Sequence, residues 1–190
     1  MDDMVLVQRY LGGDVDALSA LVERHRKPLF GYLNNMLGRN DEAEEVFQET
    51  WFRALRKLRD YREDNFPGWL MRIARNLVID GSRRRKPQVS LDAEPEGGRS
   101  LADTLPGKGD DPAHAAADGD LGAQIRQAVA ELPVEQREVF LMRTKANLTF
   151  KQIAVAPGVS LNTALARMQY ALDKLRRALR GEYLLVAGRS

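Results

Sequence analysis

The sequence predicts an all-α protein made of two small helical domains joined by a flexible acidic linker. Apolar residues recur at three- and four-residue spacing in both halves of the chain, and no stretch alternates like a β-strand. Between the halves, residues 88–120 contain three prolines and five glycines and show no periodicity. This middle stretch has two basic and eight acidic side chains, a composition that buries too little apolar surface to fold.

We therefore expect domains at residues 1–87 and 121–183, a linker at 88–120 and a short tail at 184–190. The chain has 190 residues and no cysteine, which suits a reducing compartment. Because it also lacks a long apolar run and a basic, apolar leader, we expect a cytoplasmic protein. The first domain carries a net charge of +2 and residues 121–190 carry +6, an asymmetry typical of nucleic-acid-binding proteins.

Three helices are predicted in the first domain. The first begins after a capping Asp14 or Asp16, and Pro28 is expected to bend or interrupt it. The second begins near Asn40, and its acidic first turn and basic last turn both suit the helix dipole. The stretch YREDNFPG, residues 61–68, is predicted to be a loop because it is polar and contains Pro-Gly. A third helix follows over residues 69–85.

Four helices are predicted in the second domain, at about residues 121–132, 134–144, 149–155 and 161–180. Pro133 stands at the helix-starting position that proline favours. The last two helices and the short turn between them resemble a helix-turn-helix, since Ala154 and Gly158 allow two helices to cross closely. A structural helical hairpin that binds no DNA is the alternative.

The last helix has two distinct faces when residues are placed at 100° intervals. The inward seam comprises Ala164, Met168, Ala171, Leu175 and Ala178, widened by Leu161, Leu172 and Leu179. The opposite face contains Asn162, Ala166 and Gln169, with Leu165 on one flank and Thr163, Arg167 and Tyr170 toward the other. A DNA-reading helix uses the N-terminal turns of such an outer face.

Three stretches in order resemble a known family. DEAEEVFQETWFRAL resembles a motif in region two of bacterial sigma factors, and FPGWLMRIARNLVIDGSRRR resembles the segment that follows it. LPVEQREVFLMR, LTFKQIA and GVSLNTALARMQYALDKLRR together resemble region four. The order, the linker and the short length resemble the extracytoplasmic-function (ECF) group, which keeps only regions two and four. The resemblance implies a subunit that directs RNA polymerase to promoters and helps open the DNA.

The resemblance also assigns a face for polymerase binding. Glu45, Gln48 and Glu49 lie on one side of the second helix. In the family this face docks on the coiled coil of the β′ clamp, and the resemblance further implies a contact with the β flap. A solvated charged face is the alternative. We expect no metal or other cofactor, because the only histidines, His25 and His114, lie far from these carboxylates.

Holding unstacked promoter bases requires aromatic platforms and a basic backbone track. The candidates for minus-ten DNA are Tyr61, Arg62, Asn65, Phe66, Trp69, Arg72, Arg75, Asn76, Arg83, Arg84 and Arg85. By resemblance, the loop captures a flipped base and Asn76 contacts another. A core role for Trp69 is equally open, and the last three arginines are phosphate contacts or a solvated helix end.

The candidates for minus-thirty-five DNA are Ser160, Asn162, Thr163, Ala166, Arg167, Gln169, Tyr170 and Lys174. The family commonly has a basic residue at position 165 and serine at position 166, where this chain has Leu165 and Ala166. Neither side chain can bond a guanine or a phosphate. We therefore expect fewer direct contacts and more readout of DNA shape.

Two other functions remain open. A stand-alone helix-turn-helix regulator would bind duplex DNA without polymerase, and a helical adaptor would bind only protein. No set of residues typical of a catalytic centre is visible in the sequence, so we expect no enzyme activity. The resemblance makes an anti-sigma factor a plausible partner.

Overall fold

The computed structural model describes residues 2–62, 65–85 and 120–187, and within these ranges every regular element is a helix. The side chains of residues 83–85, 120–121 and 180–187 lie outside the description, as does the predicted linker up to residue 119. The all-α prediction is confirmed. Among the described residues, no helix is long and apolar enough to span a membrane and no group of side chains is suited to hold a metal ion.

The first domain contains four helices: α1 (Asp3–Leu11), α2 (Val15–Leu37), α3 (Asn40–Lys57) and α4 (Phe66–Arg85), with a 3-10 turn over Leu58–Asp60. Helix α1 was not predicted. The side chain of Asp14 caps α2 by accepting a hydrogen bond from the Ala17 amide at 3.2 Å. Pro28 does not interrupt α2, so of the predicted bend or interruption only the bend stays a prediction. Buried neighbours such as Leu29 and Leu33 hold this part of the helix against the core.

Helix α4 begins three residues earlier than predicted, so FPG is its first turn rather than part of a loop. The side chain of Asn65 accepts a hydrogen bond from the Gly68 amide at 3.1 Å, which is the geometry of an N-cap. Pro67 is tolerated there because the first-turn amides have no partner within the helix.

The second domain contains α5 (Asp120–Ala130), α6 (Val134–Thr144), α7 (Phe150–Val155) and α8 (Leu161–Ala187). Thr149 and Gln152 form a reciprocal capping box at the start of α7. Gly158 adopts a φ of 66° in the turn between α7 and α8, a conformation that glycine enters without steric cost. Helix α8 extends past the predicted end near residue 180.

The two domains pack against each other, an arrangement that the sequence left open. Helix α7 lies against α4, and α6 lies against α2. A Cβ atom added to Gly68 would stand 2.6 Å from the carbonyl oxygen of Gln152, so the two backbones meet closely. The described residues therefore form one continuous core of buried apolar side chains.

Candidate nucleic-acid and protein interfaces

The outward face of α3 carries the residues predicted to bind polymerase. Glu45 and Gln48 are exposed, and Glu49 is partly exposed with its carboxylate 2.6 Å from the Arg53 Nε atom. Thr50, Trp51 and Ala54 occupy the opposite, buried side of the helix. The helix thus presents acidic and amide groups to solvent while its apolar stripe anchors it to the core.

Phe52, which was not among the predicted site residues, lies in the middle of this exposed face. At 100° per residue its side chain falls between those of Gln48 and Glu45. Although the ring is apolar, 56% of the residue is exposed. The Arg56 guanidinium lies 5.8 Å from the ring centroid. A helical projection places Phe52 away from the buried stripe, so its exposed position could have been predicted from the sequence.

The aromatic residues predicted as platforms for promoter bases are buried. Tyr61, Phe66 and Trp69 are 5%, 2% and 7% exposed. Their ring centroids lie 4.8–5.6 Å apart, and the cluster also contacts Trp51. The cluster joins two helices, because Trp51 lies on α3 and Phe66 is the first residue of α4. The expectation that they form an exposed platform is corrected, and Trp69 takes the core position that was left open.

The polar minus-ten candidates are divided among several environments. Asn65 is occupied by its capping bond, and the Arg62 Nη1 atom donates to the carbonyl oxygens of Arg59 and Tyr61 at 2.7 and 2.8 Å. Asn76 is exposed on α4, and Arg72 is partly exposed. The side chains of Arg83, Arg84 and Arg85 lie outside the described residues.

Arg75 is engaged by the other domain. Its Nε atom lies 2.9 Å from the Oε2 atom of Glu138 on α6, whose side chain is 1% exposed. Burial raises the pKa of Glu138, and the nearby charges of Arg75 and Arg167 oppose that rise. Tyr32 of α2 is buried beside this pair, and both burial and the charge of Glu138 raise its pKa far above the usual range. An arginine predicted to contact DNA is therefore paired with the other domain, with 19% of its side chain exposed.

The start of α8 presents most of its predicted reading face to solvent. Ser160 caps the helix by accepting a hydrogen bond from the Thr163 amide at 3.1 Å, and the two hydroxyl oxygens lie 2.9 Å apart. The remaining exposed candidates are Asn162, Ala166, Gln169, Tyr170 and Lys174. Leu165, on the flank, is 42% exposed. The predicted outer face is thus accessible, although the hydroxyl groups of Ser160 and Thr163 already contact each other at the start of the helix.

Three residues of this helix, Arg167, Leu161 and Ala178, lie in environments that differ from the prediction. Arg167 is partly buried, its Nη1 atom has no hydrogen-bond partner among the described residues, and its charge acts on Glu138. It therefore points toward the core rather than toward DNA. Ala164, Ala171 and Leu175 form the buried seam as expected. Ala178 and Leu161 are exposed, because the inward stripe is narrower than the sequence predicted.

Two sigma-factor family models match separate parts of this chain. The family model for Sigma-70 region 2 matches residues 21–88, and that for Sigma-70, region 4 matches residues 122–175. ECF RNA polymerase sigma factor SigW of Bacillus subtilis is 30% identical over 171 residues, covering 88% of this chain and 91% of that protein. ECF RNA polymerase sigma factor SigE of Mycolicibacterium smegmatis is 31% identical over 156 residues, which cover 82% of this chain and 59% of that protein.

Solved structures share the fold. CnrH, in complex with the cytosolic domain of CnrY, has a TM-score of 0.70 at 22% identity, covering 94% of this chain and 97% of that one. The sigma factor RpoE of Bartonella quintana, in complex with the anti-sigma factor NepR, has a TM-score of 0.66 at 19% identity and covers 87% and 98%. With both regions matched and SigW similar over nearly its whole length, the chain belongs to the ECF group of RNA polymerase sigma factors.

Proposed function

We propose that this sigma factor docks on core RNA polymerase through the exposed face of α3. The observation that carries the proposal is Phe52, a large apolar side chain left in water among Glu45, Gln48 and Glu49. Aromatic side chains surrounded by polar groups are typical anchors of protein interfaces. The acidic and amide groups suit a basic partner helix, as the β′ clamp coiled coil would provide, and region 4 would contact the β flap.

Promoter opening at the minus-ten element falls to α4. The exposed Asn76 and the partly exposed Arg72 lie on this helix, which continues to the basic run at its end. Amide groups read base edges, and arginines bind the backbone without specificity. We infer that the buried rings of Tyr61, Phe66 and Trp69 support this surface from below. Arg75 lies on the same helix, where it pairs with Glu138.

Recognition of the minus-thirty-five element falls to the start of α8. Asn162, Gln169 and Lys174 are exposed there and offer polar or charged groups. The side chains of Leu165 and Ala166 carry no hydrogen-bonding group and no charge with which to contact the DNA. DNA shape therefore contributes a larger share of specificity at this element.

The protein acts by binding, in the cytoplasm, and carries out no chemical step itself. An anti-sigma partner is part of the proposal, because the structural relative RpoE was solved with the anti-sigma factor NepR. Its binding would compete with the polymerase or DNA surfaces described above.

Reconstitution tests this assignment. Purified chain is mixed with core polymerase, isolated as a complex, and used for run-off transcription on a pool of genomic promoters. Promoter-dependent transcripts that require both components are expected. DNA binding without polymerase association would instead indicate a stand-alone helix-turn-helix regulator, and polymerase association without transcripts would indicate a protein-only adaptor.

A further inference from the structure

The exposed start of α8 combines apolar and amide side chains on its outward side. Leu165 is 42% exposed, and its neighbour Ala166 is also exposed. The side chains of Asn162 and Gln169 are exposed as well, and at 100° per residue they project between Leu165 and Ala166. An apolar pair and an amide pair therefore share one continuous outward arc of the helix.

The cations of α8 lie away from this arc. Arg167 is the only cationic residue among residues 161–170, all of which the structure describes, and it is partly buried with its Nη1 atom enclosed by the protein. Lys174 and Arg177 are exposed in later turns of the helix. The commonest side-chain contact to guanine is a bidentate bond from arginine or lysine. The start of α8 therefore lacks an exposed cation for guanine, whereas the later turns carry cations that suit phosphates.

The two kinds of side chain on this arc match the two halves of an A·T pair. In the major groove, adenine presents its N7 and N6 groups, and thymine presents its O4 oxygen and its C5 methyl group. Asparagine and glutamine bond adenine through two hydrogen bonds, and apolar side chains contact the thymine methyl group. An unmodified G·C pair has no methyl group, so the arc is complementary to A·T pairs.

The side chain of Gln169 is already oriented by its own helix. Its Nε2 atom donates to the Oδ1 atom of Asp173 at 3.2 Å, and the Arg176 Nη1 atom lies 3.2 Å from the same oxygen. An amide nitrogen carries two N–H groups, so the second N–H and the amide oxygen can make the bidentate bond to adenine. Because the glutamine is held before DNA binds, it loses less side-chain entropy on binding.

We propose that the start of α8 reads A·T pairs of the minus-thirty-five element from the major groove, with Leu165 and Ala166 against thymine methyl groups. Asn162 and Gln169 bond the adenine edges of the same or neighbouring pairs. The proposal rests on the minus-thirty-five role proposed for α8, and it names the base pairs that this face selects. Direct apolar contact then adds to the readout of DNA shape, and guanine contributes little to selection within the element.

Removal of single thymine methyl groups tests the apolar contact. The promoter most strongly transcribed in the reconstitution is prepared with deoxyuridine in place of one thymine of the minus-thirty-five element at a time. Competition against the labelled, unmodified promoter gives the relative affinity of the holoenzyme for each duplex. Loss of a contacted methyl group should weaken binding about fourfold, the effect of one buried CH2 group. Equal affinity for all thymine and uracil duplexes overturns the proposal, as does an element that contains no A·T pair.

Substitutions at Leu165 assign the effect to its side chain. Leu165→Asn replaces the apolar group by a polar one, and Ile125→Ala on α5 is the matched control, because Ile125 is 39% exposed. Leu165→Asn should bind the thymine and uracil duplexes equally at one position, whereas Ile125→Ala should discriminate as wild type does. Leu165→Arg, which gains a phosphate contact, should bind more tightly yet lose the same methyl dependence. A Leu165→Asn variant that discriminates at every thymine contradicts the role of Leu165.

A methyl group added to cytosine separates apolar contact from DNA shape. At a thymine position that proves sensitive to deoxyuridine, the A·T pair is replaced by a G·C pair with either cytosine or 5-methylcytosine. The methylated duplex should bind about fourfold more tightly than the unmethylated one, because the same methyl group returns to the major groove. Equal affinity for these two duplexes contradicts the proposed contact and favours readout by shape alone.

The uracil series uses wild-type protein, and circular dichroism establishes that each variant retains its helices. The two proposals fail differently. If the holoenzyme transcribes from its promoters but ignores thymine methyl groups, only the A·T readout is wrong. If base changes anywhere in the minus-thirty-five element leave binding unchanged, or if no holoenzyme forms, the proposed function of α8 is wrong.

Discussion

Truncating Phe52 gives the sharpest test of the polymerase-docking face. Full burial of a phenylalanine side chain contributes about 1.5–3 kcal/mol. Because 56% of Phe52 is still exposed, roughly half of that amount remains to be gained on docking. Phe52→Ala should therefore weaken core binding by about 0.8–1.5 kcal/mol, or about four- to twelvefold in Kd. Its free energy of unfolding should change by less than about 0.5 kcal/mol, since the side chain contributes little to the core.

Competition binding measures this effect. Dye-labelled wild-type chain is bound to core polymerase and displaced by unlabelled variants. Val15→Ala is the matched control, because Val15 is 68% exposed at the start of α2, away from the proposed face. Wild-type affinity of Phe52→Ala would refute the reasoning. So would an equal loss in Val15→Ala, because exposure rather than position would then explain the result.

Three other predictions concern stability, opening and promoter affinity. Burial alone would raise the pKa of Asp3, but hydrogen bonds from His25 and Arg24 at 3.0 and 2.7 Å outweigh it and lower the pKa below 3.8. The stabilisation is therefore present above pH 3.8 and lost as pH falls through the folded-state value. Asp3→Asn should lower the free energy of unfolding by about 1 kcal/mol at pH 7 in urea titrations; a gap that persists undiminished at pH 3 would count against this account. Asn76→Ala should reduce open-complex formation, detected by permanganate footprinting, while core binding is retained; loss of core binding would mean that the division of roles within region 2 is mistaken. Leu165→Arg should tighten holoenzyme binding to the minus-thirty-five duplex by about tenfold and steepen its salt dependence by about one unit, since one phosphate contact is added; an unchanged salt slope would argue against a DNA-facing Leu165.

Local sequence rules predicted the helices well where periodicity was sustained. The bounds of α3 and α6 agree with prediction because each has a clear apolar stripe and recognisable end signals. The same rules placed FPG in a loop, because Pro-Gly is typical of turns. The capping bond that the Gly68 amide donates to the Asn65 side chain instead allows both residues in the first turn of α4. Helix α1 was missed because it is short and ends at a Gly-Gly pair.

The candidate site was predicted less completely, and the errors have a common cause. Tyr61 and Phe66 were chosen for their chemistry, which suits stacking on bases, but the same apolar rings also suit a core. Phe52 offers no hydrogen-bonding group, so the polar pattern of the α3 face did not indicate it. Residue chemistry states what a side chain can do, and burial decides which use is available.

The sequence by itself determined the helical architecture, the two-region organisation and the departure at Leu165 and Ala166, because periodicity and motif order are local properties. Only the tertiary structure decided that Arg75 pairs with Glu138. Nothing in either helix specifies a partner 63 residues away, since that choice depends on how two separately formed surfaces fit together. It places Arg75, a candidate for DNA binding, 2.9 Å from a carboxylate of the same chain.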